Sequence, residues 1–82
     1  MKMITVFEDI SITAEERENS AQLVEVLGFN SMARSLRNGS NGVAESLYFI
    51  AAGIKNPKEL DLIYKAIGAL SGKFKISRTL KA

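Results

Sequence analysis

Arg34 and Arg37 stand three residues apart in the run Asn30-Ser31-Met32-Ala33-Arg34-Ser35-Leu36-Arg37-Asn38, and no other segment of the chain is better suited to gripping a ligand. At helical spacing the two guanidiniums share a face. Each can hold a phosphate through parallel N–H donors or read guanine, and an Asn can bond adenine. Asn30, Ser31, Asn38 and Ser40 surround them with groups able to position a phosphate backbone. Catalysis fits the composition less well. The chain has no Cys and no His, which removes a thiolate nucleophile, a Ser-His dyad, a zinc site and an imidazole titrating near neutrality. The expectation is a protein that is not an enzyme and needs no metal or cofactor. Glu8, Asp9, Glu15, Glu16 and Glu18 lack the alternating Asp/Asn spacing and central Gly of a calcium loop, and Gly39 and Gly42 match no phosphate-loop or dinucleotide spacing.

A second cationic set, Lys73, Lys75, Arg78 and Lys81, closes the chain, whereas the segment up to Leu27 is acidic, with Glu8, Asp9, Glu15, Glu16, Glu18 and Glu25 against Lys2 and Arg17. Such a gradient suits a surface for a polyanion, two complementary faces that meet, or a solvated basic tail. On a strand the basic set would track phosphates and steepen the salt dependence of binding. Lys on an edge strand is equally a guard against edge-to-edge aggregation.

The elements that must position these residues are legible as caps and periods. Met1 to Phe7 alternates like a strand. Thr13-Ala14-Glu15-Glu16 has the capping-box pattern and predicts a helix over 14–27. Gly28 ends it. Asn30 and Ser31 are candidate N-caps for a short second helix to Arg37, with Met32, Ala33 and Leu36 facing inward. Asn38-Gly39-Ser40-Asn41-Gly42 reads as a loop, and a third helix spans Val43 to Gly53. Its Leu47, Tyr48, Phe49 and Ile50 wrap around more than one face, as a central core helix does, and Phe49 is the member placed to meet a partner. Asn56-Pro57-Lys58-Glu59 opens a fourth helix, whose Leu60, Ile63, Ala66, Ile67 and Leu70 form one apolar stripe ending at Ser71-Gly72. Lys73 to Ser77 alternates again, predicting a strand with Phe74 and Ile76 on a buried face and cations on the other.

The run from Leu23 to Ile54 resembles the helix-turn-helix of Cro-type repressors, including antitoxins of addiction modules. Leu27-Gly28-Phe29-Asn30-Ser31 matches the family's helix end, apolar residue and polar cap, and the resemblance makes 31–37 the recognition helix. It implies DNA contacts from Asn30, Ser31, Arg34, Arg37, Asn38 and Ser40; outside it, the charge pattern adds Lys73, Lys75 and Arg78 as steering residues. A second alignment makes 31–36 the supporting helix and 43–52 the reader; it lengthens the turn and offers Glu45 but no cation.

The expected fold is mainly α: one domain over 1–82, four helices on a small core, with short terminal strands that pair as a two-stranded ribbon within one chain or between two. A chain this short has a marginal core, and without disulfides or zinc it would gain most from oligomerisation. The expected partners are double-stranded DNA and a second copy, a homodimer. The alternative is an inhibitor or adaptor that docks on another protein, with the Glu-rich first helix as its signature. No stretch approaches a membrane span or a signal peptide, so the expected location is cytoplasmic.

Overall fold

The computed structural model describes residues 3–81, with side chains described for 5–79. The chain runs β1 (Met3–Asp9), α1 (Ala14–Val26), α2 (Asn30–Arg37), α3 (Val43–Gly53), α4 (Pro57–Ala69) and β2 (Phe74–Lys81). The mainly α fold with a terminal ribbon is the one expected.

The helix boundaries follow from local chemistry. Thr13 and Glu16 form a complete capping box on α1, and the Asn56 side chain accepts from the amides of Lys58 and Glu59 ahead of Pro57 on α4, so both helices begin with orphan donors satisfied. Gly28 and Gly39 adopt φ of +97° and +79°, a region where a Cβ is strained. Each closes its helix by the same pair of backbone bonds. After α1, Phe29 N–H donates to Val24 and Gly28 N–H to Glu25; after α2, Ser40 donates to Ser35 and Gly39 to Leu36. This is the Schellman arrangement, and it holds the connections to three residues after α1 and five after α2.

One expectation is corrected at the start of α2. Asn30 is the first helical residue, the cap position falls on Phe29, and no side chain caps the helix. The turn at Gly28 is tight enough to bring the helix in one residue early, so neither Asn30 nor Ser31 takes the non-helical conformation that a side-chain cap needs.

β1 and β2 pair antiparallel within the chain, from Met3 opposite Lys81 to Asp9 opposite Phe74. The first strand thus extends two residues past Phe7, because Glu8 and Asp9 find partners in Lys75 and Phe74; Met1 and Lys2 lie outside the described residues. A register irregularity between Val6 and Phe7 leaves Ser77 as the extra residue opposite them, a bulge that breaks the period of two. The expectation of a buried apolar face on β2 holds at Phe74 and fails at Ile76: both precede the bulge, and the core reaches the first but not the second. Phe74 packs on the core, and Ile76 is 60% exposed.

Ala21, Val24, Ala33, Leu36, Val43, Leu47, Ile50, Ile63, Ile67 and Leu70 form the core, with α3 central. Phe7 stacks on Tyr48 at a centroid distance of 4.3 Å, and Phe74 meets both rings edge-on, fastening the ribbon to α3. The polar junction is Asp9. Its carboxylate accepts from the amides of Val43 at 2.8 Å and Ala44 at 3.1 Å, capping α3 from another element. Arg17 approaches the same carboxylate at 3.5 Å and donates to the carbonyls of Leu36 and Asn41 at 3.0 and 2.9 Å. Replacing Asp9 by Ala strands two part-buried amide donors and removes the counter-charge of Arg17, which keeps its two carbonyl acceptors. We expect a loss of about 2–3 kcal/mol in urea unfolding, with Asp9→Asn, which keeps one acceptor oxygen, losing roughly half as much.

Candidate nucleic-acid interface

A helix advances 100° per residue, so the burial of Ala33 and Leu36 against α1 fixes which side chains of α2 point outward. Asn30, Ser31, Arg34 and Arg37 are exposed, and Met32 is half-buried. Glu25, Asn30, Arg34, Arg37 and Asn38 line one open depression between α1 and α2. Arg34 makes no hydrogen bond or ion pair with any side chain among the described residues.

Arg37 is held differently. Its Nε donates to both carboxylate oxygens of Glu18 at 3.1 and 3.2 Å, and Nη2 adds a third bond to Glu18 at 3.0 Å. Nη1 and Nη2 reach the Glu25 carboxylate at 3.0 and 3.2 Å. Hydrogen bonds from Arg37 hold both glutamates below the ordinary carboxylate range, and the two carboxylates raise the guanidinium above its own already high value. Both acids project from α1, so the bridge ties the last turn of α2 to the helix behind it. Arg37, a DNA-contact candidate by residue type, is thus also a structural tie between α2 and α1. The signal was available: Glu18 and Glu25 are seven residues apart and so share one face of α1.

The other expected contact residues divide between two places. Asn38 and Ser40 stay at the end of α2 but engage each other, the Asn38 carbonyl oxygen accepting from the Ser40 amide at 2.8 Å and from its hydroxyl. Lys73 turns inward to Glu16 in the first turn of α1, where its hydrogen bond is the main cause of a lowered Glu16 pKa. Lys75 and Arg78 are exposed on β2, opposite Glu8 and Val6. Part of the charge gradient along the sequence is thus consumed within the chain, acidic α1 against Arg37 and Lys73.

No family model, curated protein or solved structure matches the chain. Its candidate site therefore rests on geometry. The second alignment, with α3 as the reading helix, meets a physical obstacle: Val43, Ala44, Ser46, Leu47 and Ile50 are buried, and the one charged residue that α3 exposes is Glu45. The acidic residues of β1 and α1 gather no set of three or more potential metal ligands among the described residues.

The clamp makes a prediction with a definite sign. Glu18 and Glu25 have folded-state values below their unfolded ones, so the stability they contribute is present above the ordinary carboxylate value of 4.5 and is lost as pH falls through the depressed values. The unfolding temperature of the wild type should exceed that of Arg37→Leu at pH 6, and the gap should narrow steadily as pH falls below 4.5. A gap independent of pH would place the contribution of Arg37 in its packing.

Proposed function

We propose that this protein binds double-stranded DNA through α2, in transcriptional control of the repressor or self-regulating antitoxin kind, in the cytoplasm. The observation that carries the proposal is the outward row Asn30, Ser31 and Arg34 on a helix joined to its supporting helix by a three-residue turn and tied to it again through Arg37. With its side chains a helix is about 10–12 Å across, close to the width of the major groove. Arg34 reads guanine or anchors on phosphate, Asn30 and Ser31 fix the register, and Arg37 keeps the two helices at one angle. Lys75 and Arg78 supply longer-range steering. Two copies would read half-sites about 34 Å apart. No described helix is long and apolar enough to cross a membrane, which agrees with this setting.

A protein partner is the second reading, and specific observations favour it. Glu25 shares the depression with Arg34, where it opposes a phosphate, and Phe49 and Val26 are 72% and 84% exposed.

Fluorescence anisotropy with a random duplex from about 50 to 200 mM salt separates the two readings. The DNA reading expects affinity that falls steeply over this range. Arg34→Ala should weaken binding about tenfold with an unchanged melting temperature, whereas Arg37→Ala should lower the melting temperature as well. No binding at the lowest salt would remove the DNA reading and leave the docking one.

A further inference from the structure

A two-stranded ribbon leaves each strand with one edge that pairs with nothing in the sheet, and the two edges of this ribbon differ in kind. β2 carries Lys75, Arg78 and Lys81 at three-residue intervals, the cationic pattern that discourages strand addition. β1 runs Met3-Ile4-Thr5-Val6-Phe7 with no charge, rich in β-branched residues that favour sheets. Its only acids lie at the far end, where Asp9 is already committed to capping α3.

We propose that the free edge of β1 is a docking surface for β1 of a second copy, paired antiparallel about a two-fold axis at Thr5. The product is a continuous sheet ordered β2, β1, β1 of the second copy, β2 of the second copy. In this register Met3 faces Phe7, Ile4 faces Val6 and Thr5 faces its own counterpart. No like charges oppose one another, and Glu8 and Asp9 fall outside the five-residue paired stretch. Self-pairing of β2 would instead crowd Lys75, Arg78 and Lys81 of both copies onto one seam. Thr5 lies two and four positions from Phe7 and Asp9, on the side of the ribbon that faces the helices, yet it is exposed; a Thr–Thr cross-strand pair fits there. The inference rests on the dimeric part of the proposed function alone, so failure to bind DNA leaves it intact.

The absence of native cysteine permits a direct test. Residues facing each other across antiparallel strands have Cα atoms about 4.5–5.5 Å apart, within the range a disulfide spans. The full chain bearing Thr5→Cys, at about 100 μM under mild oxidation, should run as a covalent dimer on a non-reducing gel. Thr79→Cys, at the matching position of β2, should stay monomeric. In light scattering the wild type should be a dimer, and Thr5→Lys, which sets two lysines face to face, should raise its dissociation constant at least tenfold while leaving the circular dichroism of the helices unchanged. A monomeric wild type, cross-linking at position 79 instead of 5, a dimer that Thr5→Lys leaves intact, or species larger than a dimer, as pairing of β1 on β2 of the next copy would give, each overturns the proposal.

Discussion

The Asp9 carboxylate is the point where four segments of the chain are made to agree. It closes β1, caps α3 through two amides, and draws in Arg17, which in turn holds the carbonyls at the end of α2 and in the loop that follows. Helix ends leave amide donors and carbonyl acceptors without intrahelical partners, and a buried end without partners is costly. Here one ion pair answers both needs at once: the acid satisfies the donors of α3, and the base satisfies the acceptors of α2. The entry of the ribbon, the angle of α1 and the start of the core helix are consequently set together. The small core does not have to define those angles by packing alone.

From that junction the placement of α2 follows. Its C-terminal carbonyl is held by Arg17, its buried side by Ala33 and Leu36, and its outer flank by Arg37 on Glu18 and Glu25. A helix fixed on three sides leaves only its fourth side for a partner, and that side carries Asn30, Ser31 and Arg34. The same arrangement separates two arginines that look equivalent in the sequence. Arg37 spends its donors on α1; Arg34, one turn earlier, keeps its own. Electrostatics in this region are therefore more balanced than the composition suggests, and any attraction for a polyanion depends on very few cations.

Elements with a strong local signal were legible in the sequence. The capping box at Thr13, the Asn56-Pro57 start and the apolar stripe of α4 appear where their chemistry places them, as does the central role of α3. What was not legible depends on distance along the chain. The Asp9 cap joins residues 34 and 35 positions apart, and the Arg37 bridge spans 19 and 12, so no local pattern announces either. The missing side-chain cap on α2 came from a turn one residue tighter than the Asn-Ser pair suggested. Ile76 came out exposed because the core reaches the ribbon at Phe74 and not at Ile76, which a simple alternation does not show. On α2, residue types and periodicity put Asn30, Ser31 and Arg34 on the exposed face, where they stand, but could not show that Arg37 and Lys73 are occupied by carboxylates from α1.

The central claim is that the exposed face of α2 is the surface this protein uses. Backbone amide resonances of isotopically labelled protein, followed during titration with duplex DNA at low salt, test it most directly. The account predicts that the largest changes fall on Asn30, Ser31, Arg34 and Asn38, with the core amides of α3 unmoved. Changes confined to the ribbon or to the exposed face of α3, or none anywhere, would contradict it.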